Sequence, residues 1–426
     1  MSDAPAAATG WPRGFGPLMA AQFLSALADH ALLIIAFARL QAAGLPGWWA
    51  PLLKLGFNGS YVALAPLVGP LADAVPKARL LAWMNGVKML GALLMMASAH
   101  PVWGYALIGL GAAAYAPAKY GLVTELVPPQ RLVAANGWIE ISVVLAALAG
   151  IGCGGWLVSA DVTAWVRQHT GVDALLAACA VALLVYLLAA VIQRTVPDTG
   201  VRDARPRWRP LALWRHFAAA NARLWADRQG GLSLAVTTLF WGVGATLQVA
   251  VLRWTQEALG LALAQGAQLQ LAVALGVVSG AALAGRLVPL AQAQRVLPLG
   301  VVFGLMIAAL AQVEQLALAW PLLAFTGAVG GLLVVPMNAL LQHRGHTVLS
   351  AGRSIAVQGF NENLSVLIML ALYALSWQLP WSISTLLAIF GVGVALAMLV
   401  LWRLLRRPAR PVAGRSTRRA SAPRHR

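Results

Sequence analysis

The sequence predicts an all-α integral membrane protein with twelve transmembrane helices arranged as two six-helix halves. Three observations predict it. First, 60% of the 426 residues are hydrophobic and only 10% are charged, with a mean hydropathy of +0.75. A soluble domain carries about 25% charged residues. Second, apolar segments of bilayer-spanning length, about 20 residues, recur at 16–40, 47–72, 80–98, 102–124, 132–158, 172–193, 231–256, 265–285, 296–313, 317–341, 354–376 and 381–405. Third, the longest polar connection, 194–230, divides these segments six and six. The domains expected are therefore an N-terminal half (1–193), a basic linker (194–230), a C-terminal half (231–405) and a basic, disordered tail (406–426). No basic region, apolar core and cleavage site of a signal peptide opens the chain, so the first span is expected to act as an uncleaved start signal.

Taken in order, the spans carry polar residues on one side. In span 1, Gln22, Ser25 and Asp29 fall at i, i+3 and i+7 and form one stripe. A carboxylate near the bilayer centre costs about 3 kcal/mol on insertion scales, so it persists where it faces protein or a wet cavity. Span 2 carries Lys54, Asn58 and Tyr61, and span 3 carries Lys88. Span 4 carries Tyr115 and Lys119 one turn apart; span 5 carries Asn136 and Glu140, then the small run 150–155. Span 7 presents Thr238, Trp241 and Gln248, span 10 Asn338 and Gln342 after Pro336, and span 11 Gln358, Asn361, Glu362 and Ser365. Stripes in seven spans point to a shared polar cavity with Asp29 on its wall. Lys54 and Lys88 also suit snorkelling to the interface or structural pairing. Glu140 suits an inter-loop ion pair as well as a gate, and the span 5 glycines suit close helix packing. Asp29, Lys119 and Glu362 sit deepest, and Lys119 is the cation expected to neutralise Asp29.

Charge sets the orientation. All but six of the 31 Lys and Arg lie at the N-terminus, in the even-numbered loops or in the tail, so both termini are expected in the cytoplasm. The net charge of +18 is thereby topogenic and does not point to nucleic acid. Residues 211–228 read as an amphipathic helix on the cytoplasmic leaflet, and the tail's arginines favour anionic lipid headgroups. Cys153 and Cys179 fall in apolar segments as packing residues, and no Cys or His cluster suggests a metal or cofactor. No Ser/His/acid set or His-x-x-x-x-Asp pair suggests an enzyme.

Two six-helix halves joined by a long loop suggest the major facilitator architecture, although counting alone also admits other helical repeats. The loop Gly69-Pro-Leu-Ala-Asp73-Ala-Val-Pro-Lys77-Ala-Arg79 resembles that superfamily's signature, with Ala74 and Pro76 replacing the usual basic residue and glycine. The resemblance implies a charged knot of Asp73, Lys77 and Arg79 that latches the cytoplasmic side. Six further stretches resemble the bacterial lysophospholipid transporters of the superfamily: Gln22-Phe-Leu-Ser-Ala, Ala114-Tyr-Ala-Pro-Ala-Lys-Tyr-Gly121, Ala135-Asn-Gly137 with Glu140, Leu239-Phe-Trp-Gly242, the run Val334 to Gln342, and Ala356-Val-Gln358 with Glu362. The family resemblance covers roughly 15–405. It implies a flippase that brings lysophosphatidylethanolamine and related lipids from the outer to the inner leaflet of the bacterial inner membrane. A cytoplasmic-side acyltransferase would then restore the missing chain. It also implies substrate contacts from Asp29, Tyr115, Lys119, Gln248, Asn338, Gln358 and Glu362. His30 stands where the family has asparagine, and Gln248 where it has an arginine. The competing reading of the same fold is a proton-coupled solute or drug exporter, with Asp29 or Glu362 carrying the proton.

Overall fold

The computed structural model describes residues 10–46, 49–97, 100–201, 210–261 and 263–406. The expected disordered tail and the arginines within 202–209 lie outside the described residues. Among the described residues there are fourteen α-helices and no strand. The N-terminal half comprises α1 (Phe15–Ala42), α2 (Trp49–Ala74), α3 (Lys77–Met96), α4 (Pro101–Leu126), α5 (Leu132–Leu157), the short α6 (Ala160–Thr170) and α7 (Ala174–Gln193). After α8 (Pro210–Ala226), the C-terminal half comprises α9 (Arg228–Glu257), α10 (Leu263–Leu287), α11 (Leu297–Leu310), α12 (Leu316–Val348), α13 (Ala351–Ser376) and α14 (Ile383–Arg406).

Eleven of these helices are long and apolar enough to cross a membrane. The remaining bundle helix, α3, packs against α4 and α7 but is diluted by Lys77, Arg79, Asn85 and Lys88. With it, twelve long helices form the bundle. Helix starts follow local chemistry: Asp173 accepts from the Leu176 amide at 3.0 Å and Asp227 from the Gly230 amide at 2.8 Å. These bonds satisfy amides that a first turn leaves unpaired. Between the apolar segments 132–158 and 172–193, residues 160–170 fold as the short helix α6, which ends at Gly171 with φ 66°.

Small residues set the close packing, as expected where apolar burial gives helices no preference for one another over lipid. In α10, a Cβ on Gly276 or Gly280 would strike the backbone of α12, and one on Gly327 or Gly331 of α12 would strike α10. Gly150 and Gly154 of α5 likewise pack on the α1 backbone at Leu27 and Ala31, the role expected of the span 5 glycines.

The two halves meet at the end of the bundle that carries the α2–α3 turn. There α2 packs on α13, α5 on α10, and α12 on α5. Asn136 and Gln342 exchange side-chain amide hydrogen bonds of 2.9 and 2.8 Å across the seam. Apart from exposed Arg353, α13 is buried from Ala351 to Gln358 and only half-buried or exposed from Gly359 onward. The halves are thus sealed at the Asp73 end, and burial on α13 falls away toward the other.

Helix α8 is not simply laid on a membrane surface. Its inner side packs on α9, α13 and α2. Asn221 accepts from Asn361 at 2.9 Å, Trp225 donates to Asn361 at 3.2 Å, and Phe217 meets Phe360 edge-on at 5.2 Å. Asn361, expected on the cavity stripe of span 11, instead anchors α8.

Candidate functional site

The polar interior begins with Asp29, in the middle of α1. The expected pairing with Lys119 is not formed. Lys88, reaching from the middle of α3, takes Asp29 Oδ2 at 2.7 Å, and both side chains are nearly closed to solvent. Tyr186 of α7 donates to Asp29 Oδ1 at 2.6 Å. Lys88 also donates to Ser25 Oγ at 3.0 Å, and Ser25 donates to Asn85 Oδ1 at 2.7 Å. The Lys88 ammonium lies 4.9 Å from the Tyr115 ring centroid and 5.7 Å from that of Tyr186. Each carboxylate oxygen therefore has a partner, and the charge is balanced within the N-terminal half. The physical reason Lys88 wins is reach: it sits too deep in α3 to snorkel, and a buried ammonium needs a counter-ion.

Lys119 is left for other work. It donates to Gln22 Oε1 at 3.3 Å and stands 4.3 Å above the Tyr120 ring, in a site only 8% exposed. Glu140 of α5 is buried within electrostatic reach of both Lys119 and Glu362. It lies in the interior, where the sequence equally admitted an inter-loop ion pair. The Tyr115 hydroxyl is buried without a hydrogen-bond partner.

The C-terminal half contributes a second group. Gln358 Nε2 donates to Asn338 Oδ1 at 3.0 Å and to Glu362 Oε1 at 2.8 Å, joining α12 and α13. Glu362 itself is half-buried. Of the residues expected at the substrate, Asn338, Gln358 and Glu362 are thus brought together on one half, and Tyr115 and Lys119 on the other. Gln248 is not drawn into either group. Its side chain is exposed, and its carbonyl accepts from Gln270 at 2.7 Å.

The expected knot of Asp73, Lys77 and Arg79 divides into two. Asp73 crosses to the other half, accepting from Ser350 Oγ at 2.5 Å and from the Gly352 amide at 2.7 Å at the start of α13. A helix N-terminus presents free amides and a positive dipole end, which suits a carboxylate. Lys77 pairs instead with Glu125 of α4 at 2.6 Å, and Thr199 donates to the other Glu125 oxygen at 2.5 Å. Arg79 is exposed. Sequence reasoning missed Glu125, Ser350, Asn85 and Tyr186 as partners. The last two carried a signal, being polar atoms inside apolar spans.

Two helical halves sealed at one end, with charged side chains buried at mid-depth in the N-terminal half and the half-buried Glu362 in the other, define a membrane carrier. The chain belongs to the Major Facilitator Superfamily, whose family model matches residues 18–369, and within it to the lysophospholipid transporters of the LplT type. It is 40% identical over 398 residues to "Lysophospholipid transporter LplT" of Shigella flexneri, covering 93% of this chain and 97% of that protein. It is 41% identical over 363 residues to the same-named protein of Yersinia enterocolitica, covering 85% and 87%. Among solved structures, the fold is similar to that of the transporter FucP (TM-score 0.70, 16% identity, 92% of this chain and 99% of that one). It is also similar to a bacterial homologue of the iron transporter ferroportin (TM-score 0.69, 15% identity, 92% and 99%).

Proposed function

We propose that this chain carries lysophospholipids, lysophosphatidylethanolamine among them, from the outer to the inner leaflet of the bacterial inner membrane by alternating access. Its relatives' name supports the cargo. The observation that carries the mechanism is the division of charge inside the bundle. Asp29 is saturated by Lys88 and Tyr186, while Lys119 (with Gln22 and the Tyr120 ring) and Glu362 (with Gln358 and Thr237) are held by neutral groups, one on each half. A zwitterionic headgroup needs one cation for its phosphate and one acid for its amine. Lys119 supplies the first and Glu362 the second, with Glu140 between them tempering Lys119. Asp29 then acts as a positioning residue that fixes α1, α3 and α7.

The Asp73 end is the cytoplasmic one on the charge distribution, so the seal seen here is the inner gate. Opening it while the far end closes would expose the headgroup site to the inner leaflet, where an acyltransferase would consume the product. The test is uptake of fluorescent lysophosphatidylethanolamine by spheroplasts with and without the protein, against a fatty acid and a cationic drug. Uptake of the lysolipid alone supports the reading. Drug movement that collapses with the proton gradient, without lysolipid uptake, sinks it in favour of an exporter.

A further inference from the structure

An apolar groove of about 430 Å³ runs between α13 and α14, and both helices pack on α9, which forms its floor. Its walls include Leu239 and Ala250 of α9, Met369 and Tyr373 of α13, and Ile383 and Gly393 of α14. The rim is open sideways: Leu372 and Ile389, which also line it, are 60% and 52% exposed. From Ile383 to Gly393 the α14 wall runs about 15 Å at 1.5 Å per residue. One leaflet's share of the roughly 30 Å hydrocarbon core is the same length. The volume falls in the range of about 300–1,000 Å³ usual for small-molecule sites.

The mouth of the groove is polar. Arg253 lies one turn beyond Ala250, with its guanidinium carbon 4.6 Å from the Trp377 ring centroid. Glu257 takes Arg253 Nε at 2.5 Å. The guanidinium interacts with the neighbouring Tyr373 hydroxyl, which also faces Trp377, and both Arg253 Nη1 and the Tyr373 hydroxyl are buried at the mouth. A buried-edge guanidinium with a phenol beside it, at the mouth of a leaflet-length apolar slot, matches a single-chain amphiphile with an anionic head.

We propose that this groove is a lateral docking site for the acyl chain of a lysophospholipid, with Arg253 and Tyr373 receiving its phosphate at the mouth. The proposal rests on the transport reading above and adds where the cargo first binds. Because the chain arrives from lipid, burying it in the groove gains little hydrophobic free energy. The groove therefore acts through shape: it has room for one chain, so a diacyl lipid brings a second chain that has no place. On α13, Glu362 lies seven residues from Met369 and on the same side, so the docked cargo is one helical stripe, about 10 Å, from the headgroup site.

Gly393 gives a clean test, because it lines the groove and a Cβ there meets nothing within 4 Å. Uptake of palmitoyl and hexanoyl lysophosphatidylethanolamine is compared in spheroplasts for the unaltered chain, Gly393→Phe and Leu396→Phe, the last on the exposed side of α14. Gly393→Phe should lower palmitoyl uptake several-fold and leave hexanoyl uptake and Leu396→Phe unchanged. Arg253→Gln should raise KM several-fold for both chains with the maximal rate kept. Palmitoyl uptake by Gly393→Phe equal to that of the unaltered chain would overturn the proposal. If Gly393→Phe loses both substrates, photolabelling of the unaltered chain decides. A palmitoyl lysolipid bearing a diazirine should label α14 between 383 and 394. Unlabelled lysolipid should displace it, and neither diacyl lipid nor the chain-free glycerophospho headgroup should. Displacement by diacyl lipid, or by none, would assign the groove to bulk membrane. An unaltered chain that takes up neither lysolipid overturns the transport reading, and the labelling alone then judges the groove.

Discussion

At the scale of single residues, the interior is decided by which lysine reaches which acid. Removing one partner of a buried ion pair leaves the other uncompensated, at a cost of about 3–5 kcal/mol, whereas removing both costs less. Asp29→Asn and Lys88→Met should therefore each lower the melting temperature in detergent, and the double change should recover part of the loss. Asp29→Asn with Lys119→Met should show no such recovery. Recovery with Lys119 and not with Lys88 would overturn the pairing seen here. Glu362 makes the opposite prediction. Its carboxylate is held by the neutral Gln358 and Thr237 side chains and by no counter-ion, so Glu362→Gln should leave expression near normal and lower lysophosphatidylethanolamine uptake. Lysophosphatidylglycerol, which has no amine, should be less affected. Equal loss for both cargoes would remove the amine assignment.

At the scale of elements, the linker helix shows how one carboxylate can organise a junction. Asp227 caps α9 through the Gly230 amide and is clipped by Arg344 at the end of α12, with contacts of 2.8–3.2 Å. The Arg344 guanidinium holds the partly buried Asp227 carboxyl below the usual carboxylate range. A carboxyl depressed in the folded state stabilises fully above its unfolded value and loses that contribution as pH falls through the folded one. Asp227→Ala should thus cost about 0.5–2 kcal/mol at neutral pH, the usual range for a lost cap. The difference from the unaltered chain should shrink once the pH drops below the ordinary carboxylate range and vanish in stronger acid. A difference that grows on acidification would refute the clip. Melting curves across a pH series measure it.

At the scale of the whole molecule, the seal between the halves depends on backbone approach. A Cβ on Gly352 would lie 2.7 Å from both Asp73 Oδ1 and the Gly69 carbonyl oxygen. Gly352→Val should therefore hold the Asp73 end apart. Lysolipid uptake should fall several-fold, and a cysteine at Asn136, buried in the closed seam, should gain reactivity toward a permeant maleimide. Unchanged reactivity would show that the seam closes without this contact. Orientation is tested with single cysteines at Val201 and Thr170, both exposed, in a chain lacking Cys153 and Cys179. An impermeant thiol reagent applied to spheroplasts should label Thr170→Cys and spare Val201→Cys. The reverse pattern would turn the carrier over and make the sealed end the outer one.

The sequence by itself determined the class of fold, the two-half division and the inventory of interior polar residues. These follow from composition and from periodicities of 3.6 residues, which are local properties of a chain in a bilayer. It also pointed to helix packing by the small run of α5, which holds for Gly150 and Gly154 against α1, whereas Gly152 and Gly155 meet no neighbouring helix. It did not determine partners. Asp29, Lys88 and Lys119 lie on three different helices, and nothing in their spacing says which two will touch. Only the crossing of α1, α3 and α7 puts Lys88 and Tyr186 on Asp29. The same holds for Asn361, whose stripe points to the cavity until α8 folds back and claims it, and for Asp73, whose donors lie at the start of a helix nearly three hundred residues away. Side-chain periodicity is written along one helix. Pairing depends on distances between helices, and those are set by tertiary packing.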